Sequence, residues 1–171
     1  MRELPRQLSA GELAALFEGR TRFVERLALE PDPLTRAATL VHELPQDEQI
    51  EILAAHPAIG QTAGLSARSA AEQGADADPA VLAELARLNA EYETRHGFRF
   101  VVFVNRRPKA EVLAVLRERL GRSTPEELQT ALGELVQIAR DRWQRQGLCR
   151  IRPWHKKGSD PCLCRDAGLR A

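Results

Sequence analysis

The chain has 171 residues, of which 43% are hydrophobic and 29% charged, and its formal net charge is +1. That length suits one globular domain with an ordinary core. The charge is unevenly divided, because residues 148–171 hold six Lys/Arg and only two Asp, which leaves a mildly acidic body. This distribution excludes a nucleic-acid-binding stripe on the body, and no apolar stretch approaches the roughly 20 residues of a membrane-spanning helix.

The two ends of the chain carry no targeting signal. Residues 1–5 lack the apolar stretch of a secretory signal, and residues 168–171 are not a peroxisomal address. We therefore expect a soluble protein of the cytoplasm, with neither nucleic acid nor a membrane among its partners.

Helix signals recur along the first third of the chain. A capping box at Ser9 and Glu12 opens the first helix, and two further helical patterns follow up to residue 42. Pro45 suits the first position of the next helix. This helix should end at His56, because the proline that follows disfavours helical geometry in the residue before it.

The second half of the chain opens with its clearest helix. Asp78 begins this helix and Gly97 ends it. Residues 98–104 are β-prone but have no evident partner strand, so we interpret them as a buried extended segment between helices. Two more helices are predicted, over residues 109–120 and from Thr124 to about residue 146.

These elements predict an all-α protein of six to eight helices with no internal repeat. The last helix should stop at Gly147. We therefore divide the chain into an all-α domain at residues 1–147 and a basic, irregular tail at residues 148–171.

The three cysteines all lie near the C-terminus, at positions 149, 162 and 164, so none can crosslink the core. Together with His155 they could form a four-ligand zinc set, but their spacing matches no common zinc finger. We favour an irregular tail over a metal site.

His56 has both a structural and a functional interpretation. It ends a helix, where a cationic imidazole is favoured by about 0.3–1 kcal/mol, and this alone could explain a histidine. The rigid turn that starts at Pro57 would also fix the direction of the ring, which suits a catalytic group.

Ser69 and Glu72 have the spacing of a capping box, which is the commonest meaning of this pattern. However, Gly74 follows almost at once, and Ser66 makes the better cap. In that case Ser69, Glu72 and Gln73 share one helical face and can converge on one ligand.

Arg142 falls on the apolar stripe of the last helix, where a hydrophobic residue is expected. An unpaired buried charge costs several kcal/mol. The guanidinium should therefore either reach water along its flexible stem or pair with a substrate anion or with Glu72. Arg140 and Arg145 fall off the stripe and should be solvated.

Five motifs then occur in a fixed order along residues 10–146, and each is common by itself. They are Ala55-His56-Pro57-x-Ile59-Gly60, Ser69-x-x-Glu72-Gln73, Asn89-x-x-Tyr92, Gly97-Phe98-x-Phe100-Val101 and Ile138-Ala139-x-x-Arg142. Their combination resembles the 2-oxo-4-hydroxy-4-carboxy-5-ureidoimidazoline (OHCU) decarboxylase family of urate degradation.

The resemblance implies an all-α, usually dimeric enzyme that needs no cofactor or metal and forms (S)-allantoin. Urate oxidase and hydroxyisourate hydrolase would be its pathway neighbours. It also implies that His56 and Glu72 are catalytic. The substrate would be held by Pro57, Ser69, Gln73, Arg142 and the backbone of Phe100, Val101, Val102, Phe103 and Val104.

Two other classes of function stay open at the level of sequence. One is a lyase or hydrolase that acts on a related ureido compound. The other is a non-catalytic helical interaction module, in which His56, Ser69 and Glu72 are helix caps and the basic tail binds a partner.

Overall fold

The computed structural model describes residues 7–61, 66, 69, 71 and 78–150. Over these residues the chain forms seven α-helices and no strand, which confirms the all-α prediction. In chain order they are α1 (Ala10–Phe17), α2 (Arg22–Leu27), α3 (Pro33–Glu43), α4 (Gln46–Ala55), α5 (Pro79–His96), α6 (Lys109–Leu120) and α7 (Thr124–Arg150).

The helix ends follow the local signals closely. Ser9 and Glu12 form the reciprocal capping box at the start of α1. His56 leaves the helical region with φ −78° and ψ 141°, as expected of a residue before proline. Gly97 ends α5 at φ 79°, a left-handed conformation that costs glycine little. Pro45 lies one residue earlier than predicted, at the N-cap of α4.

The predicted end of the last helix is wrong. Helix α7 does not stop at Gly147 but continues to Arg150. A glycine inside a helix costs only about 1 kcal/mol relative to alanine, so it can weaken a helix without ending it. The predicted irregular tail lies, beyond residue 150, outside the described residues.

Helix α7 is the element around which the others pack. It contacts α1, α3, α4 and α5, while α5 also packs along α6. Its buried stripe includes Ala131, Leu132 and Leu135, all without solvent exposure. Within the part of the chain that the structure describes, no helix is long and apolar enough to cross a membrane.

Residues 98–104 form the buried extended segment that the sequence predicts. Phe98, Phe100, Val101, Val102 and Val104 are all at least nine-tenths buried, and none of them belongs to a helix or a strand. The segment follows Gly97 and runs beside α7. It thereby brings a length of non-helical backbone to the centre of a helical protein.

Candidate active site

A cavity opens where four parts of the chain meet. The turn after α4 contributes His56 and Pro57, the extended segment contributes residues 100–104, and the C-terminal half of α7 contributes Arg142. Ser69 completes the wall. These parts are distant in sequence, so the cavity exists only once α7 has packed against the N-terminal helices.

The turn that carries His56 is held in place by side chains from α5 and from the extended segment. Arg99 donates hydrogen bonds from Nη1 to the carbonyl oxygens of Ala54 (3.0 Å) and His56 (2.6 Å). Asn89 donates from Nδ2 to the carbonyl oxygen of Ile59 at 2.9 Å. The position of His56 is therefore fixed through its own backbone and through the turn that follows it.

Gly60 lets this turn lie against α5. Its φ is 82°, and a Cβ atom at this position would come within 3.3 Å of Leu85 Cδ1. A larger residue would be strained in this backbone conformation and would push the turn away from the helix. The close packing of this turn against α5 therefore explains the glycine that follows the His-Pro motif.

The imidazole of His56 is buried and neutral. Burial, and to a smaller extent the charge of Arg142, lower its pKa from 6.5 to about 4, and the Glu18 carboxylate and the Ile52 carbonyl oppose them only in part. The favourable helix-end effect expected from the sequence is outweighed. Neither ring nitrogen forms a hydrogen bond of good geometry with the described residues.

Arg142 does not reach solvent, so the snorkelling interpretation is wrong. Its side chain is 3% exposed and forms an ion pair with Glu18, with 3.0 Å between Nη2 and Oε1. Nη1 donates to the carbonyl oxygen of Leu16 at 3.0 Å, and Nη2 to Ser69 Oγ at 3.3 Å. The buried charge is balanced by a residue of α1's C-terminal end.

Glu18 is a site residue that the sequence analysis missed. It follows α1 immediately, in a segment where a carboxylate is usually on the surface, and no spacing rule links it to residue 142. Its hydrogen-bond partners include Ser66 and Ser69, whose Oγ atoms donate to Oε1 at 2.8 and 2.6 Å. Only the packing of α1 against α7 brings these groups together.

The extended segment supplies the floor of the cavity, and part of its backbone is already occupied. Arg119 donates to the Val101 carbonyl oxygen at 3.1 Å, and the Phe103 N–H donates to Glu134 at 2.7 Å. The Phe103 N–H is therefore not available to a ligand, and one of the two lone pairs of the Val101 carbonyl oxygen is occupied. Among the predicted backbone contacts, the N–H groups of Val102 and Val104 are the better candidates.

The mouth of the cavity is basic. Arg145 lines it, and the prediction that it is solvated holds only in part, because its side chain is 38% exposed but forms an ion pair with Asp141 at 2.7 Å. Arg106 lies at the same rim in a left-handed turn, with φ 62°. Arg140 is not freely solvated either, because Nε and Nη2 donate to the Leu34 carbonyl oxygen.

The cavity gathers most of the residues that the sequence singled out. They are His56, Pro57, Ser69, Phe100, Val101, Val102, Phe103, Val104 and Arg142. Glu72 and Gln73 lie outside the described residues. Their neighbour Ser69 is helical, and its N–H donates to Ser66 Oγ at 3.1 Å, in agreement with Ser66 as the cap of that turn.

This arrangement can bind a small polar molecule and exchange a proton with it. A neutral imidazole in a largely apolar cavity can accept a proton, and a fixed guanidinium can stabilise developing negative charge. Among the described residues no group of three or more His, Cys, Asp or Glu is placed to hold a metal ion. Of the proposed zinc set, residues 155, 162 and 164 lie outside the described residues.

Comparisons with known proteins identify the relatives of this chain. The family model described as OHCU decarboxylase matches residues 3–144. The chain is 32% identical over 106 residues to a 2-oxo-4-hydroxy-4-carboxy-5-ureidoimidazoline decarboxylase of Halalkalicoccus jeotgali, covering 60% of each chain. It is 34% identical over 112 residues to the enzyme of that name from Amia calva, covering 61% of this chain and 64% of the relative.

A solved structure shares the fold. It is a crystal structure of OHCU decarboxylase in the presence of (S)-allantoin, which superposes with a TM-score of 0.66 at 24% identity and covers 79% of this chain and 96% of that one. The matched region spans less than two thirds of the two curated relatives. The family model itself extends over most of the present sequence, from residue 3 to residue 144. The chain therefore belongs to the OHCU decarboxylase family.

Proposed function

We propose that this protein decarboxylates OHCU to (S)-allantoin without a cofactor. Membership of the family supports the reaction. The observation that carries the proposal is a buried, neutral His56 in the same cavity as a buried Arg142, both on rigid supports. A helical interaction module would need neither group in its interior.

The reaction asks little of the protein beyond binding and proton transfer. When the C–C bond to the carboxylate breaks, CO2 leaves and the electron pair passes into the ring, whose imine group accepts it. The imine nitrogen takes a proton with that pair, and the ureido-bearing carbon takes a second proton from one face. The substrate hydroxyl loses its proton as it becomes a carbonyl, so the carboxylate form of the substrate takes up one proton overall. Because the ring is its own electron sink, the protein needs only to orient the substrate and handle these protons.

His56 is suited to take the hydroxyl proton. In the empty cavity its pKa is about 4, so the ring is neutral at pH 7 and can act as a base. A bound carboxylate would raise this pKa, because an opposite charge favours the imidazolium. CO2 leaves as a neutral molecule and the negative charge passes into the ring, which can then take the proton from the buried imidazolium.

Arg142 and Ser69 would hold the polar end of the substrate against the wall of the cavity. A guanidinium can donate two parallel hydrogen bonds to a carboxylate or a ureido oxygen. Pro57 and the N–H groups of residues 102 and 104 would orient the ring. Glu72 would steer the imidazole or relay its proton, and Gln73 would bind the substrate beside it.

A direct test follows the stereochemistry of the product. OHCU is generated from urate with urate oxidase and hydroxyisourate hydrolase, and the circular dichroism of (S)-allantoin is recorded with and without the protein. We expect the wild type to accelerate formation of one enantiomer. His56→Gln should lower this rate by about 100- to 10,000-fold, the usual contribution of a general base.

The matched control is His42→Gln, because His42 is exposed on α3 and does not line the cavity. It should behave as the wild type. Glu72→Gln tests the second catalytic assignment, and normal turnover in this variant would reduce Glu72 to an orienting role. The substrate is also labelled in its carboxyl group. Release of ammonia without labelled CO2 would favour the alternative function, a hydrolase that acts on a ureido compound.

Finer proposals concern the cofactor, the assembly and the location of the protein. Turnover should survive exhaustive chelation, and rescue by a divalent metal would overturn the mechanism. The family resemblance supports a homodimer that works beside urate oxidase and hydroxyisourate hydrolase, and we propose the cytoplasm as its location. Sedimentation velocity and cell fractionation would test these two statements.

A further inference from the structure

Glu18 takes a backbone conformation that its residue type does not favour. It is the C-cap of α1, with φ 62° and ψ 17°, and its N–H donates to the Ala14 carbonyl oxygen. Glycine or asparagine adopts this left-handed conformation at lower cost and is the usual choice at such a helix end. The glutamate is therefore not explained by capping.

The side chain of Glu18 instead converges with two serines and an arginine. A single oxygen, Oε1, accepts from Ser69 Oγ (2.6 Å), Ser66 Oγ (2.8 Å) and Arg142 Nη2 (3.0 Å). Arg142 Nη2 also donates to Ser69 Oγ, which closes a ring of three side chains. Two of these three, Ser69 and Arg142, line the cavity, whereas Glu18 stands behind them.

The carboxylate is ionised at neutral pH. Burial alone would raise its pKa, but the hydrogen bonds from Ser69 and Ser66 and the charge of Arg142 lower it on balance. The guanidinium therefore has a counterion even when the cavity is empty. Glu18 therefore balances the charge of Arg142 without a substrate anion, and it sets the orientation of the guanidinium before a substrate arrives.

We propose that Glu18 is a positioning residue of this site: it fixes Arg142 and Ser69 at the cavity wall and balances the charge beside His56. The proposal rests on the proposed decarboxylation for its kinetic consequences. A second consequence does not depend on that reaction: removal of the Glu18 charge should change the electrostatic environment of His56.

Two variants separate positioning from simple support of the fold. Glu18→Gln keeps the size and one acceptor oxygen but removes the charge. We expect a folded protein whose kcat falls about 100-fold, the order of loss caused by a small misplacement of catalytic groups, with a smaller change in KM. Glu18→Gly relieves the backbone at α1's end, so a capping role would predict full activity and a higher melting temperature.

The matched control is Glu12→Gln on the same helix. Glu12 also accepts a hydrogen bond from a serine hydroxyl, Ser9 Oγ, at 2.8 Å, but Glu12 is exposed and does not line the cavity. It should leave kcat unchanged. Wild-type kcat in Glu18→Gln, or an active Glu18→Gly, would overturn the proposal. If Glu18→Gly fails to fold, the Gln variant decides.

A measurement on the ligand-free protein distinguishes this proposal from the proposed function. The His56 ring is titrated by NMR in the wild type and in Glu18→Gln. The described charged groups that act on the ring are Arg142, Glu18 and Arg99, and only Glu18 favours the imidazolium. Its neutralisation should move the His56 titration to lower pH. An unchanged titration overturns the positioning role even if the wild type is an active decarboxylase. A shifted titration in a protein without decarboxylase activity supports that role and refutes the function.

Discussion

The charge of His56 is decided by its surroundings rather than by its position at a helix end. A helix C-terminus favours a cation by at most about 1 kcal/mol on the surface. Burial and the neighbouring Arg142 act in the opposite direction and win, so the pKa falls to about 4. A residue whose ordinary pKa is near neutrality is thereby kept as a free base across the physiological range.

This shift predicts a loss of stability in acid. Between pH 6.5 and about 4 the unfolded chain binds a proton at His56 that the folded chain does not, so the free energy of unfolding should fall as the pH falls through this window. Urea midpoints measured from pH 7.5 to 4.5 test this expectation. In His56→Gln the fall should be shallower, and equal slopes in both proteins would contradict a neutral buried His56.

Arg142 should serve the cavity more than the fold. Arg142→Lys keeps the charge but loses the forked contacts with Glu18, Ser69 and Leu16, so kcat/KM should drop by about 10- to 100-fold with a small change in melting temperature. Arg140→Lys, on the same helix but bonded to Leu34, is the control. A large loss of stability with near-normal kinetics in Arg142→Lys would make this arginine structural.

At the scale of elements, the extended segment is the part of the fold that most needs support. Its backbone has no strand partner among the described residues, and polar side chains take over part of that role. Arg119 bonds to the Val101 carbonyl oxygen and pairs with Glu127 at 2.8 Å, and Tyr92 donates to the same carboxylate at 2.7 Å. The Arg119 guanidinium also lies 4.8 Å from the centre of the Phe100 ring.

Breaking this buried pair should therefore be costly. Arg119 is 2% exposed and Glu127 is fully buried, so Arg119→Met leaves a carboxylate without its nearest cation and should destabilise the protein by about 3–5 kcal/mol. Arg122→Met removes a half-exposed arginine 3.5 Å from the other oxygen of Glu127 and should cost less than about 1 kcal/mol. Denaturant unfolding compares the two. Similar losses would contradict this account of the segment.

At the scale of the molecule, all the described residues that line the cavity lie before residue 146. The family model ends at residue 144, and Arg145 is the last of the described residues that line the cavity. We propose that residues 151–171 are dispensable for the reaction, and that the chain should be cut after Arg150, where α7 ends, rather than after Gly147.

A chain that ends at Arg150 should keep wild-type kcat/KM and bind no zinc. Product dichroism and metal analysis of the full chain and the shortened chain test both statements. A shortened chain that folds, as judged by its helical spectrum, but has lost activity would contradict this division. Zinc in the full chain that disappears on shortening would restore the discarded interpretation of Cys162, Cys164 and His155.

The sequence by itself determined the local structure. Caps, prolines and glycines act within a few residues, so the start of α1, the end of α4 at His56 and the end of α5 at Gly97 could all be predicted. It also determined that residues 98–104 are buried and that Arg142 faces inward, because hydrophobic periodicity reports burial directly. The exception is Gly147, because a glycine inside a helix costs too little free energy to end the helix there.

Only the tertiary structure decided which polar groups meet. Glu18 and Arg142 are separated by more than 120 residues, and no periodic pattern connects the end of α1 with the C-terminal half of α7. The neutral state of His56 was likewise beyond the sequence, because it depends on burial and on the distances to several charges. Local propensity is set by neighbours in the chain, whereas pairing and pKa are set by neighbours in space.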